Sequence, residues 1–381
     1  MTAFSPFSPV DIRILDKTAG LDAVQTLLEG VDGVAVLADA SVLEKLRLGP
    51  FVERLLALHQ GVLLQEIPAN PTATDVGRAL HALAGRQVHA LVAIGGGSCM
   101  DLAKAISALY HLLPGDRLSE ESVLEAILQQ DYKRPHPFVD ILALPTTAGT
   151  GSEVTKWATI WDPKHNRKLS IDCVENYPKA AILIPELTAS MGPGLTLSTG
   201  LDALSHAMEA FWAKSRTPLS KALAIAAIEK IHTFLPTAVR PEAAEDLDVR
   251  REMCLGSLLA GLAFSITRTT ACHSISYPLT MLFGLPHGFA AAMTLQSVMK
   301  RNEEAVPEIR DLHAIFRADG GFAAWHNHVT APIRPLRLGA FGIREQDLEK
   351  IAELTFTAGR MDNNPVFFSR QEVFEILQEC L

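Results

Sequence analysis

The first half of the chain alternates short, wholly apolar runs with longer stretches of helical periodicity. Residues 34–38 (VAVLA) form one such run, closing on Asp39, and a helical pattern follows in SVLEKLRLGPFVERLLALHQ. The theme repeats at 61–65 (GVLLQ), 90–94 (ALVAI) and 139–144 (VDILAL), with helices expected around 74–86 and in MDLAKAISALYHLL. Short apolar strands alternating with helices predict a parallel, doubly wound α/β sheet. From about residue 190 the strand signals fade. Helical periodicity takes over at 197–214, 217–234, 241–264, 270–283, 289–303, 305–318, 320–330, 345–358 and 370–379, punctuated by Pro193, Pro218, Pro236, Pro278, Pro286 and Pro332. The expectation is an α/β domain with a Rossmann-like sheet over residues 1–190 and an all-α domain over 191–381, divided near Met191-Gly-Pro-Gly194.

Composition narrows the function classes. With 381 residues, 48% of them hydrophobic and 20% charged, the chain can bury two globular cores. The net charge of −9 leaves no basic surplus to neutralise phosphates, so a nucleic-acid partner is excluded. No apolar run is long enough to span a membrane, and MTAFSPFSPVDIRILD lacks the basic flank and apolar core of a signal peptide. Cys99, Cys173, Cys254, Cys272 and Cys380 are odd in number and never form a C-x-x-C pair, which fits reduced thiols in a cytoplasm.

Two glycine-rich loops stand where strands hand over to helices. Gly95, Gly96, Gly97 and Ser98 follow one apolar run, and Pro145-Thr146-Thr147-Ala148-Gly149-Thr150-Gly151-Ser152 follows the next. Glycine lets the backbone approach a pyrophosphate, and the helix start offers unpaired N–H groups and a positive dipole end. Either loop alone reads equally as a tight turn without a ligand. Asp39 sits where a carboxylate could accept from a ribose 2′-hydroxyl, favouring NAD over NADP, and reads equally as a helix cap.

The second half carries a different chemistry. Asp202 and His206 stand four apart in TLSTGLDALSHAMEAFWAK, whose Leu201, Leu204, Met208 and Phe211 mark an apolar side. Residues at i and i+4 share a helix face, so carboxylate and imidazole converge. His273 and His287 bracket HSISYPLTMLFGLPHG. One carboxylate and three imidazoles make a four-ligand site for a borderline divalent cation such as Fe(II), Zn or Co. Taken singly, each histidine reads as an ordinary core or surface residue.

Four ordered blocks together, AIGGGSCMDLAKAI, PTTAGTGSEVT, PELT…GLDALSHAMEAF and HSISYPLTMLFGLPHG, resemble the iron-activated, metal-dependent alcohol dehydrogenases over nearly the whole chain. The resemblance implies an N-terminal dinucleotide-binding domain, a C-terminal metal-binding domain and a homodimer or larger homo-oligomer. It places the metal, Fe(II) or Zn, on Asp202, His206, His273 and His287. It assigns the pyrophosphate to Gly95, Gly96, Gly97 and Ser98, the phosphate and nicotinamide loop to Thr146, Thr147, Thr150 and Ser152, and further cofactor contacts to Asp39 and Lys168. It implies NAD(H) as cofactor, with NADP(H) open, and hydride transfer to an aldehyde carbon whose oxygen gains charge beside the cation.

Two departures from that family pattern bear on the substrate. Tyr277 stands where many members carry a second histidine assigned to proton relay, so it is either a hydroxyl donor or a pocket wall. Arg268, Thr269 and Thr270 precede His273 where small apolar residues are common, and helical spacing would set Thr269 and Thr270 on the ligand's face. Arg268, with Lys156 as a second cation, would suit a small anionic aldehyde, since a guanidinium fork matches phosphonate oxygens. Arg268 reads equally as a structural ion pair. TRTTACHSISYPLT…GLPHG with WATIWD is similar to the subgroup that reduces phosphonoacetaldehyde to 2-hydroxyethylphosphonate. The alternatives are a generalist short-chain alcohol dehydrogenase of the same family and a metal-dependent lyase resembling dehydroquinate synthase.

Overall fold

The computed structural model describes residues 8–113, 115, 118–165, 167–356 and 360–381. The first residues of the chain, and positions 357–358 of the helix expected at 345–358, lie outside them.

The chain divides into two compact units, one of Met1–Thr147 with Ser152–Ser190 and one of Ala148–Gly151 with Met191–Leu381. A single cut at residue 190 would leave Ala148–Gly151, and with it Thr150, in the first half; the structure packs this segment in the second.

In the first unit the order is β1 (Asp11–Ile14), α1 (Lys17–Leu27), β2 (Val34–Ala38), α2 (Ala40–Lys45), α3 (Gly49–Leu58), β3 (Val62–Leu64), α4 (Ala73–Ala82), β4 (Ala90–Gly95), α5 (Gly97–Leu109), α6 (Glu120–Leu128), β5 (Asp140–Pro145), β6 (Trp157–Asp162), β7 (Arg167–Asp172) and β8 (Ala180–Leu183). Six strands form one sheet in the order β1-β8-β5-β4-β2-β3, with every neighbouring pair parallel. Successive side chains of a strand point to opposite faces. Ala35, Leu37, Leu91, Ala93, Ile141 and Ala143 therefore enter one core, and Val34, Val36, Val92, Ile94, Leu142 and Leu144 the other. Both faces are covered, which is why these runs are apolar throughout rather than alternating. β1 and β8, four residues each, and the antiparallel hairpin β6–β7 escaped the hydrophobic pattern. β7 (RKLSID) is half-buried at all but one position, so it carries no apolar run to read.

The second unit is helical: α7 (Pro193–Trp212), α8 (Pro218–Ala238), α9 (Leu247–Thr267), α10 (Ala271–Phe283), α11 (His287–Ala292), α12 (Leu295–Asn302), α13 (Ile309–Ile315), α14 (Phe322–Thr330), α15 (Glu345–Leu354) and α16 (Arg370–Glu379). α7 is buried along almost its whole length. The stretch expected as one helix at 289–303 is two, α11 and α12, separated at Met293 and Thr294. All five cysteines are buried free thiols. Among the described residues no helix is long and apolar enough to cross a membrane.

Candidate active site

The first unit gathers its candidate residues at the carboxyl ends of adjacent parallel strands. After β2 the chain runs outward to β3, then returns so that β4 lies on the other side of β2. Such a reversal opens a crevice at the strand ends where α/β sheets take nucleotides. Asp39 follows β2, and Gly95 closes β4. Asp39 caps α2, accepting from the Ser41 amide at 2.8 Å. Gly96 is the N-cap of α5 and offers no capping side chain, so its first amides have no side-chain acceptor. Thr146 ties the next loop to this turn, its amide donating to the Gly95 carbonyl at 3.0 Å. A methyl group on Gly96 would lie 3.1 Å from the Thr147 side chain, so the two loops touch at a residue that has none. Ser98 Oγ accepts from the Asn70 amide at 3.2 Å. Lys168 lies on β7, its Nζ 5.5 Å from the centre of the Trp161 ring.

One residue of this unit was passed over in the sequence. Lys104 is wholly buried in α5, and its Nζ donates to Ser152 O at 2.6 Å, Ser152 Oγ at 2.9 Å, Thr155 Oγ1 at 3.2 Å and Trp157 O at 3.0 Å. A lysine inside the otherwise apolar run Leu102-Ala-Lys-Ala-Ile106 was the available signal. Burial pushes its ammonium down to about 8. It anchors the chain that leaves the threonine-glycine loop. Lys156, by contrast, pairs with Asp172 at 3.1 Å.

The second unit builds its cluster from side chains. α7 places Asp202 and His206 one turn apart, and Glu209 follows three residues later on the same face. The first turn of α10 brings His273, and α11 starts on His287. Ligand atoms of Asp202, His206 and His273 all lie within 4.8 Å of one another, and all three residues are buried. His273 Nε2 is 3.5 Å and His287 Nε2 3.9 Å from Asp202 Oδ1, the His287 side chain keeping 28% exposure. Gly288 makes this approach feasible: a Cβ there would fall 1.8 Å from the Ser198 carbonyl oxygen, so only glycine lets α11 meet α7. The rings of His206 and His273 stack at 4.4 Å, with Phe264 on the other side of His206 at 4.1 Å.

Asp202 Oδ1, His206 Nδ1 and His273 Nε2 are buried with no hydrogen-bond partner among the described residues. Orphaned buried polar atoms are expensive, and three of them on residues whose ligand atoms lie this close, an oxygen-and-imidazole donor set, fit a divalent cation. The electrostatics of Asp202 and His206 agree. Burial opposes ionisation of Asp202, but His206, His287 and His273 outweigh it and hold the carboxyl far below the usual carboxylate range. Burial pushes His206 down to about 4, keeping the imidazole neutral as a ligand must be.

Glu209 was missed in the sequence and organises the cluster. Its Oε1 accepts from the Thr270 amide at 3.0 Å, Thr270 Oγ1 at 2.7 Å, the Cys272 amide at 2.8 Å and the His273 amide at 3.3 Å. Its Oε2 accepts from His273 Nδ1. The carboxylate thus caps α10 from another helix, where the positive dipole end favours it, and leaves Nε2 of His273 as the ring atom facing Asp202. Burial lowers the His273 imidazole's basicity, yet Glu209 and Asp202 reverse this and raise it to about 9, so a cation binding this ring has a proton to displace. The i, i+4, i+7 spacing of Asp202, His206 and Glu209 was the signal that could have found it.

The structure corrects one geometric expectation. Thr269 and Thr270 do not share a helical face with His273, because α9 ends at Thr267 and α10 begins at Ala271. Arg268 turns the chain between them at φ +64°. Thr270 Oγ1 is engaged by Glu209 and by Trp212 Nε1 at 3.0 Å, so it braces His273 from behind. Thr269 is hydrogen-bonded to the Tyr277 hydroxyl, and Arg268 itself is exposed. Tyr277 is 4% exposed, and its ring lies parallel to that of His287, centroids 6.1 Å apart. Arg360 lies over this ring, its Cζ 5.2 Å from the centroid.

The comparisons with known proteins fall on this arrangement. Residues 13–185 match the iron-containing alcohol dehydrogenase family, and residues 196–381 match the C-terminal region of Fe-containing alcohol dehydrogenases. The NAD-dependent methanol dehydrogenase of Bacillus methanolicus is 31% identical over 82% of this chain and 82% of its own length. The phosphonoacetaldehyde reductase of Streptomyces viridochromogenes is 38% identical over 67% of this chain and 63% of that protein. The crystal structure of sulfoacetaldehyde reductase from Bifidobacterium kashiwanohense in complex with NAD+ superposes with a TM-score of 0.83 at 27% identity, covering 100% of this chain and 99% of that one. A parallel sheet with open strand ends, a buried carboxylate–imidazole cluster and matches over both halves lead to one conclusion: the chain is an oxidoreductase of the iron-containing alcohol dehydrogenase family.

Proposed function

We propose that the protein reduces a short aldehyde carrying an anionic headgroup to its primary alcohol, with phosphonoacetaldehyde as the substrate and 2-hydroxyethylphosphonate as the product. The observation that carries the reaction class is the buried trio Asp202, His206 and His273, whose ligand atoms lie within 4.8 Å of one another while Asp202 Oδ1, His206 Nδ1 and His273 Nε2 have no hydrogen-bond partner among the described residues. Asp202, His206, His273 and His287 are the residues that would hold Fe(II) or Zn. A divalent cation there supplies Lewis acidity toward the aldehyde oxygen, and a reduced nicotinamide supplies the hydride.

The protein's own groups do the rest. Glu209 keeps a proton on His273 Nδ1 and so presents Nε2 to the cluster. Tyr277 walls the His287 side of the site, and its phenol is raised by burial, so it stays protonated and able to donate. The bare amides after Gly96 and the hydroxyls of Ser98, Thr146, Thr147, Thr150 and Ser152 suit a pyrophosphate and nicotinamide, and Asp39 suits a ribose 2′-hydroxyl and hence NADH. Lys168 is the remaining cofactor contact. The anionic headgroup draws support from the phosphonoacetaldehyde reductase of Streptomyces viridochromogenes. The enzyme acts as a homodimer or larger assembly in the cytoplasm, where its five buried thiols stay reduced.

The test is anaerobic NADH oxidation by Fe(II)-loaded protein with phosphonoacetaldehyde and propanal side by side. The expected kcat/KM ratio is at least about a hundredfold, or ~2.7 kcal/mol of added transition-state binding. Equal rates would leave a generalist alcohol dehydrogenase, the reading favoured by the likeness to the methanol dehydrogenase. Turnover without net NADH consumption would point to a lyase.

A further inference from the structure

We infer that Arg360, not Arg268 or Lys156, is the anchor for the substrate's anionic headgroup; this rests on the proposed reduction at the Asp202 cluster. Arg360 is half-buried, and among the described residues no carboxylate pairs with it. Arg301 pairs with Glu379 at 2.7 Å and Arg167 with Asp162 at 2.7 Å, whereas Arg250 and Arg216, which have no carboxylate among the described residues, spend their guanidinium groups on neutral oxygens, Arg250 on Thr196 Oγ1 at 3.1 Å and Ala244 O at 3.0 Å and Arg216 on Ala213 O at 3.2 Å. A guanidinium withdrawn from water without a counter-charge is costly, and such a charge is retained where an anion arrives to meet it.

Its position fits that anion to the aldehyde site. Arg360 lies over Tyr277 at 5.2 Å, and the Tyr277 ring runs parallel to His287, the member of the cluster that keeps 28% exposure. Cation, ring and exposed imidazole thus form a row leading to Asp202. A ring face presents no lone pair, so contact with Tyr277 leaves the guanidinium N–H groups unspent for oxygens. Five donors in a planar fork match two oxygens of a phosphonate or sulfonate. The rivals are less suited. Lys156 is spent on Asp172 at 3.1 Å. Arg268 is exposed, on a backbone turned to φ +64° at the break between two helices. A neutral short aldehyde gains nothing from Arg360, and a cationic one is repelled by it.

The test compares metal-loaded full-length wild type, R360A, R360K and R268A in two assays. In the first, R360A raises KM for phosphonoacetaldehyde by about a hundredfold, ~2.7 kcal/mol, while kcat/KM for propanal holds. R360K recovers part of the loss, because an ammonium restores charge without the fork. In the second, calorimetric titration with methylphosphonate shows binding to wild type that R360A loses. An equal fall on both aldehydes would reduce Arg360 to a support for Tyr277 and overturn the assignment, as would a selective KM rise in R268A alone. If wild type shows no preference for phosphonoacetaldehyde, that substrate reading fails by itself. Methylphosphonate then decides Arg360: binding lost in R360A upholds the anion site, and binding unchanged in R360A, or absent in wild type, overturns it.

Discussion

The strand ends of the first unit and the helical cluster of the second recruit opposite parts of the polypeptide. After β4 the proposed working groups are main-chain amides, and a side chain at Gly96 would crowd Thr147, which stands 3.1 Å from where a Cβ would be. In the cluster the working groups are side-chain atoms, and the backbone's task is to bring α7, α10 and α11 close enough. The first region tolerates changes of side-chain chemistry but not added bulk. The second is expected to tolerate neither, because its donors are buried together and His273 depends on Glu209 to orient it.

The sharpest way to separate the regions is Asp202→Ala. Removing the carboxylate from the cluster should abolish metal retention and cut aldehyde reduction by about a thousandfold, the several kcal/mol a Lewis acid supplies, while NADH binding measured by fluorescence stays at the wild-type value. Loss of NADH binding as well would show that the regions are not independent.

Next in size is Glu209→Leu. Without the acceptor for His273 Nδ1, metal affinity by competition with a chelator should fall about 10- to 100-fold. Glu209→Gln should lie between, because one amide oxygen cannot serve both the α10 amides and the ring. Affinity equal to wild type in Glu209→Leu would mean that packing alone holds His273.

A smaller effect is expected from Gly96→Ala in the other region, a roughly tenfold rise in the NADH dissociation constant, about 1.4 kcal/mol, with metal content unchanged. A variant that binds NADH normally would remove the glycine turn from the cofactor site.

A separate test, read in stability, reaches outside both regions. His326 on α14 is buried against Phe322, and burial pushes its imidazole down to about 4. The unfolded chain binds a proton near 6.5 that the folded chain refuses. Stability is therefore complete above about pH 6.5 and declines as pH falls toward 4, by on the order of 3 kcal/mol at most. His326→Phe should flatten the drop in Tm between pH 7 and pH 5; an unchanged slope would assign the acid sensitivity elsewhere.

Much of this architecture is legible in the sequence. Runs such as VAVLA, ALVAI and VDILAL read as strands because they are buried on both faces, and burial on both faces leaves no polar positions to confuse the period. Asp202 and His206 could be paired in the sequence because four residues of helix is a fixed rotation. β7 could not be read, since a half-buried strand bearing Arg167 and Lys168 has no apolar run.

What the sequence determined by itself was therefore local and periodic: the parallel strands, the glycine turns at their ends, the helical second half and the candidate donors. Only the tertiary structure decided the rest. It set Glu209 beneath His273 across 64 residues of chain, spent Lys156 on Asp172, broke the helix at Arg268 so that Thr270 braces the cluster, and left Arg360 over Tyr277 with no carboxylate among the described residues. The physical reason is that a residue's periodicity is fixed by its neighbours in the chain, whereas a charge's partner is fixed by whatever the fold brings within a few ångströms of it.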